Sequence, residues 1–304
     1  VVAVDYLASF AVEAAASPEG AGQSFWILDE GTPRLPELVG EVAAHMGVRA
    51  PRANLPIGLV RRMPKALTKV EPDSLEFLVT DDDYPTDGAR SLAAAAGLEM
   101  PDTSRTLGRW ADHLVSTHFL AAEPAIPGRF EGVGSSRAFV RRRGDDPALV
   151  CLHGIPFDSD AWLDVLASVT SDVVAPDLPG LGRSAPSPLP PAVWLSHLAP
   201  ETPSIIAGHS LGCEYAVRFA AAHPDRVRGL VLVSPFFLQA APPSTLRAWP
   251  LVAATLARAT ETRLRARLLD GAPGADEALR SAAANLTRRG VARRRRTTGR
   301  SARR

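Results

Sequence analysis

Between Ser136 and Ser234 the chain alternates short, continuously apolar runs with segments of helical periodicity, and this pattern constrains the fold more than any other feature. The apolar runs are ALVCL, VVAPDL, SIIAGHS and RGLVLVS; the helical segments between them are DAWLDVLASV, PPAVWLSHL and EYAVRFAAAH. Side chains alternate across a strand, so a strand apolar at every position must be covered on both faces. The intervening helices supply that cover. Right-handed crossovers then bring the carboxyl ends of the strands to one edge, where ligands bind in open α/β sheets. The pattern predicts an α/β fold with a mostly parallel sheet, entered through the alternating strand SRAFVRRR.

Three motifs fall at that edge. Gly208-His209-Ser210-Leu211-Gly212 lies between the strand SIIA and a helix, which is the context a G-x-S-x-G nucleophile elbow requires. A sharp turn there lifts the Ser210 hydroxyl above the sheet, and side chains at Gly208 or Gly212 would clash with the adjacent strand and helix. The helix end directs the Leu211 N–H toward a developing oxyanion. His153-Gly154-Ile155-Pro156 follows ALVCL, and the Ile155 N–H is the expected second donor. His153 reads as a loop residue rather than a base, and His209 as pointing into the elbow. Asp177-Leu178-Pro179-Gly180-Leu181-Gly182-Arg183-Ser184 makes a tight turn after VVAP, with Asp177 organising the loop.

LVCLHGIPFDSDAW, VVAPDLPGLGRS, IIAGHSLG and RVRGLVLVSPF resemble, in order and spacing, the third to sixth strands and loops of the α/β-hydrolase family. The resemblance covers roughly residues 128–240. It implies Ser210 as catalytic nucleophile, an oxyanion hole from Ile155 and Leu211, and a small-molecule substrate with an ester or related acyl bond. Epoxide hydrolases and dehalogenases share the HGxP loop but carry aspartate in place of Ser210, so serine favours esterases, lipases and carbon–carbon bond hydrolases. The chain departs from the family in having no histidine after His223; Asp270, Asp276 and Glu277 follow no strand pattern. The expectation is an incomplete α/β-hydrolase fold with little activity as this chain stands. A non-catalytic protein keeping the elbow as scaffold is the alternative.

Residues 1–125 have a different character. VVAVDYLASFAVEAAA reads as a short strand running into an Ala-rich helix, FWILDE as a second strand ending in a Gly-Thr-Pro turn, and LPELVGEVAAHMG as a helix stopped at Gly47. A further helix opens at Asp102 or Thr103. Together they predict a small α+β fragment, and they resemble the carboxyl-terminal part of extended short-chain dehydrogenases. That family binds NAD(P) through a Gly-rich turn and reacts through Tyr-x-x-x-Lys. Neither is present, since Tyr6, Tyr84 and Tyr215 all lack a lysine four residues on. No cofactor is therefore expected, and an NAD(P)-dependent oxidoreductase fragment is a third reading. The expected organisation is a dehydrogenase-like remnant over 1–125, the hydrolase core with its first six strands over 126–238, a partial helical cap over 239–286 and a tail over 287–304.

The tail holds nine arginines and no acid, so the net charge of +1 belongs to it and the rest of the chain is acidic. It reads as a truncated or frameshifted end, as a disordered solvated tail, or as a nucleic-acid contact; the last lacks interleaved aromatics and a binding module, so no nucleic-acid partner is expected. With 46% hydrophobic and 22% charged residues the composition is that of a globular protein. No apolar run is long enough to span a membrane, and the start at Val1 lacks a signal-peptide layout. Cys151 and Cys213 read as buried free thiols, not as a disulfide framework or a metal site. A cytoplasmic location is expected. Oligomeric state is open.

Overall fold

The computed structural model describes residues 1–51, 84–121, 123–238, 262, 266 and 276–287. The chain divides into two compact units, one of residues 1–44 and 49–110, the other of residues 45–48 and 111–304.

The first unit is built from helices α1 (Val4–Ala16), α2 (Leu35–His45, whose last residue belongs to the second unit), α3 (Asp87–Ala95) and the start of α4 (Thr103–Ser116). Its core is Ala3, Tyr6, Phe10, Ala89, Leu92 and Ala93, with Phe25 set edge-on to Phe10 at 5.5 Å between ring centroids. Two sequence expectations are corrected. The predicted strand at VVAVDYL is helix from Val4 onward. Asp5 sits in the first turn, where an acid suits the helix dipole, and Tyr6 and Phe10 lie four apart on one buried stripe. FWILDE belongs to no ladder. Its alternation is real: Phe25 and Ile27 are half-buried while Trp26 and Leu28 are 50% and 41% exposed. What it lacks, among the described residues, is a neighbouring strand to pair with. Among those residues the first unit holds helices and no strand, so it is not α+β there. The helix stop at Gly47 stands, with φ +66°, and Asp102 opens α4 by accepting the Arg105 N–H at 2.7 Å.

The second unit holds a six-stranded sheet: β1 (Gly128–Val133), β2 (Ser136–Arg143), β3 (Leu149–Leu152), β4 (Val173–Pro176), β5 (Ser204–His209) and β6 (Val227–Val233). The spatial order is β1-β2-β4-β3-β5-β6. β1 and β2 form a hairpin, β2 pairs antiparallel with β4, and β3 to β6 run parallel. Helices α5 (Leu163–Ser168), α6 (Pro191–Ser196) and α7 (Gly212–Ala222) fill the crossovers, and α8 (Asp276–Thr287) follows later.

Two separate clusters show why the strands are continuously apolar. Val150, Leu152, Val174 and Ile206 pack with Trp194, Leu195, Ala216 and Phe219. Their sequence neighbours Cys151, Val173, Ala175 and Ala207 pack instead with Leu163 and Leu166. Adjacent residues thus serve opposite faces, α6 and α7 covering one and α5 the other. β6 departs from this pattern. Its Leu230, Val231, Leu232 and Val233 are 41%, 48%, 38% and 44% exposed, and among the described residues it ends the sheet. Most of the expected cap over 239–286 and all of the tail beyond Thr287 lie outside the described residues. Among the described residues no helix is long and apolar enough to cross a membrane.

Candidate active site

The turn after β5 carries the strongest conformational signal. Ser210 has φ +49°, the left-handed region that costs a non-glycine residue about 1–3 kcal/mol and persists only where its surroundings enforce it. The enforcement is visible. The Ser210 N–H donates to the Val233 carbonyl at 2.9 Å, and α7 begins two residues on. A Cβ at Gly208 would meet the Cys213 nitrogen at 2.7 Å, and one at Gly212 would meet the Leu152 carbonyl oxygen at 2.1 Å. Only glycine lets β5, the turn and α7 come this close to β3. The Cys213 thiol, buried behind the turn, donates to the Gly208 carbonyl at 3.1 Å.

The loop after β3 lies directly against Ser210. A Cβ at Gly154 would fall 2.7 Å from the Ser210 Cβ and 2.9 Å from the His209 Nδ1. Among the described residues neither the Ile155 N–H nor the Leu211 N–H makes a hydrogen bond. The Ser210 hydroxyl likewise has no hydrogen-bond partner among them. The Ile155–Pro156 peptide bond is cis. His209 is half-buried, its ring tilted against Phe157 at 5.6 Å, and burial, then the nearby His153, lowers its pKa.

His153 is fully buried with both ring nitrogens engaged: Nε2 accepts the Leu178 N–H at 2.8 Å, and Nδ1 lies 3.0 Å from the Gly154 carbonyl. That pairing fixes the neutral tautomer protonated at Nδ1, and burial holds its pKa below the ordinary value against the pull of Asp177. The ring ties the loop after β3 to the loop after β4.

Asp177 organises that second loop. Its Oδ1 accepts from the Ser159 N–H and hydroxyl at 2.8 and 2.5 Å, and its Oδ2 from the Arg183 N–H and Nε at 2.7 and 2.8 Å. Burial alone would push this carboxyl up; Arg183, by charge and hydrogen bond, holds it below the usual carboxylate range.

Around Asp177 lies a buried charge cluster that sequence reading missed. Asp160, 2% exposed, accepts from Arg141 Nε at 2.6 Å and from Arg183 Nη2 and Nη1 at 2.7 and 3.1 Å, with His118 Nε2 at 2.9 Å. Burial pushes its carboxyl up, but Arg183, His118 and Arg141 hold it well below the usual range. Arg141 is fully buried on β2 and also donates to the Ile126 and Ser116 carbonyls at 2.8 and 3.2 Å. Arg183 stacks its guanidinium over Phe139 at 4.0 Å. One signal was available: in SRAFVRRR, Arg141 shares a face with Phe139, whereas a run of three arginines suggests solvent. Asp158 and Asp160, close after HGIP, supply the countercharge.

The remaining histidines make no hydrogen bond to Ser210 among the described residues. His45 pairs with Asp112 at 2.8 Å, His118 with Asp160, and His223 packs on Phe219 at 4.9 Å. His113 lies in α4, and His197 caps α6. Of the acids considered, Asp270 falls outside the described residues, and Asp276 and Glu277 open α8. Among the described residues no group of three His, Cys, Asp or Glu side chains is placed to hold a metal ion.

A family model described as "Alpha/beta hydrolase family" matches residues 149–303, just over half of the chain. Among curated proteins the chain is 31% identical over 112 residues to Epoxide hydrolase 2 of Siraitia grosvenorii, covering 33% of this chain and 35% of that one. It is 34% identical over 109 residues to the pimeloyl-[acyl-carrier protein] methyl ester esterase of Shewanella woodyi, covering 34% and 43%. The chain spans about a third of the length of the curated relatives that it matches first. Among solved structures, carboxylesterase CesB of Bacillus subtilis is similar at 25% identity with a TM-score of 0.45, over 60% of this chain and 68% of that one.

Proposed function

The chain belongs to the alpha/beta hydrolase family, and on that premise we propose that it is of the serine hydrolase type, acting on an ester or related acyl bond of a small molecule with Ser210 as nucleophile. The carrying observation is the left-handed Ser210, held between β5 and α7 with Gly154 against it, together with the Ile155 and Leu211 N–H groups, which make no hydrogen bond among the described residues. In this reading the Ser210 oxygen bonds to the substrate carbonyl carbon. The carbonyl oxygen takes the negative charge and is received by those two N–H groups. The serine proton passes to solvent; collapse expels the alkoxide, which takes a proton from solvent and leaves as the alcohol, and water hydrolyses the acyl-serine that remains. Gly208, Gly212 and Gly154 keep the approach open, while His153, His209 and Asp177 shape the loops. The matched relatives include one named as a methyl ester esterase and one as an epoxide hydrolase; a serine at position 210 favours the ester reading.

Turnover needs a base within hydrogen-bond reach of the serine. All seven histidines are described, and none bonds to Ser210. The chain therefore acylates slowly and turns over little, on residual stabilisation of the sort that leaves about 10³–10⁴-fold over water when a triad member is removed. The test has two parts. Incubation for hours with excess fluorophosphonate, in which the serine oxygen bonds to phosphorus, its proton passes to solvent and fluoride leaves, is expected to give a slowly forming adduct on Ser210 and none in Ser210→Ala. A time course with a short-chain p-nitrophenyl ester is expected to show no sustained Ser210-dependent release. An adduct on other serines alone overturns the nucleophile assignment; sustained release overturns the low turnover. For residues 1–125 the dehydrogenase-like reading rests on sequence pattern, and NAD(P) binding by this chain would support it.

A further inference from the structure

Helix α8 comes back to the loop after β3 through an unusual pair of polar residues. Ser281 and Asn285 are 3% and 1% exposed, on a helix whose other buried side chains, among the described ones, are Leu279, Ala282 and Leu286. They stand four residues apart, so both project from the same face. Both reach one carboxylate, that of Asp158, three residues after Ile155.

The contacts are reciprocal. The Asp158 N–H donates to the Ser281 hydroxyl at 2.9 Å, and that hydroxyl donates back to the Asp158 Oδ1 at 2.6 Å. The Asn285 amide donates to the Asp158 Oδ2 at 2.9 Å and to the Ser281 carbonyl at 2.9 Å. The Asp158 Oδ1 also accepts the Asp160 N–H at 3.1 Å, and Arg183 Nη2 lies 3.7 Å away. Asp158 therefore joins three things: α8, the Arg183 cluster, and the end of the loop that carries Ile155. Between Ile155 and Asp158 there is only Pro156, with its fixed φ, and Phe157, whose N–H closes a turn onto the Gly154 carbonyl at 2.9 Å. A stretch this short transmits the placement of its end to its beginning. Polar pairs buried on a helix also cost desolvation unless satisfied. An apolar pair would pack α8 equally well, so two hydrogen-bonding side chains at 281 and 285 impose a direction on the loop that packing alone would not.

We propose that α8 is a clamp on the loop after β3, and that Ser281 and Asn285 are positioning residues that aim the Ile155 N–H at the Ser210 site through Asp158. This rests on the serine-hydrolase reading above and adds to it the element that sets one of the two oxyanion donors. Losing one such donor costs an enzyme on the order of 10²–10³ in rate; misaiming one costs less, about tenfold.

The experiment follows two readouts on the whole chain, hydrogen exchange of peptides covering 153–160 and 204–222, and the rate of fluorophosphonate labelling at Ser210. Ser281→Ala is expected to speed exchange in 153–160 without changing 204–222, and to slow labelling about tenfold. Ser281→Thr, which keeps the hydroxyl, is expected to restore both. Asn285→Ala is expected to act in the same direction. Faster exchange with unchanged labelling would mean that α8 holds the loop without positioning the donor, which overturns the proposal. Unchanged exchange overturns the clamp itself. No Ser210 adduct in the unsubstituted chain overturns the serine-hydrolase reading, and with it the positioning role, whatever the exchange shows.

Discussion

Asp160 shows how much a single buried residue can carry. It faces two arginines, and removing its charge would leave the fully buried Arg141 without a carboxylate partner in a low-dielectric interior, while Arg183 keeps Asp177. Breaking a buried ion pair from one side typically costs about 3–5 kcal/mol, so Asp160→Asn is expected to lower unfolding free energy by that order in a denaturant titration. A loss below about 1 kcal/mol would show that Arg141 finds water instead. Gly154 makes a second residue-scale case. Its missing Cβ leaves the space occupied by the Ser210 Cβ and the His209 ring, so Gly154→Ala must displace one of them. Ser210 labelling in that variant is expected to fall at least tenfold, in line with a lost donor geometry, while far-ultraviolet circular dichroism stays unchanged. Cys151, by contrast, is inert: burial pushes its thiol up to about 12. No reaction with a maleimide is expected at Cys151 in the folded chain.

Among the elements, β6 stands out. The strand is as apolar as β3 or β5, yet Leu230 to Val233 are all more than a third exposed. Among the described residues β6 ends the sheet, and an apolar edge strand with open N–H and C=O groups is a template for pairing with another chain. Poor solubility is the expected consequence. Val231→Lys, a charge placed on that strand, is expected to raise the soluble fraction without changing Ser210 labelling, as read by centrifugation and light scattering. No gain in solubility would mean that the strand is protected. The helical start of the chain teaches a related lesson. VVAVDYL and FWILDE have strand-like composition, but β propensity describes a fit to a half-buried pleated surface, not a backbone preference. Without a neighbour among the described residues, the first becomes helix and the second forms no strand, its alternation intact.

On the scale of the whole molecule, the titrating groups set how stability depends on pH. Burial lowers the His153 pKa below its ordinary value of about 6.5. The unfolded chain then binds this proton first, so stability falls as pH drops below about 6.5 and on through the depressed folded value. Asp160 and Asp177 have folded pKa values below the usual carboxylate range. Their contribution is complete above about 4 and is lost as pH falls further, through the folded values. A midpoint of thermal unfolding that declines from pH 7 to 5 is expected. His153→Gln is expected to start lower at pH 8 but to change less across that window. Equal slopes in the two proteins would remove His153 as the cause.

The sequence by itself determined the strand and helix order from Ser136 to Ser234 and the parallel core, because continuous apolar runs have few alternatives to a sheet covered on both faces. The turn around Ser210 and the organising place of Asp177 were legible too, since glycines and turn residues are tied to local backbone geometry. The partners of Arg141, Asp158 and Asp160 were decided only in the tertiary structure. Arg141 lies 19 residues from Asp160, and Ser281 lies 123 from Asp158. Charged and polar residues carry no local mark of whether they will meet water or one another; that is settled by which segments the folded sheet brings to the same edge. The first unit reads the same way from the other side, its strand-like runs left unpaired among the described residues because pairing is a property of two segments and never of one.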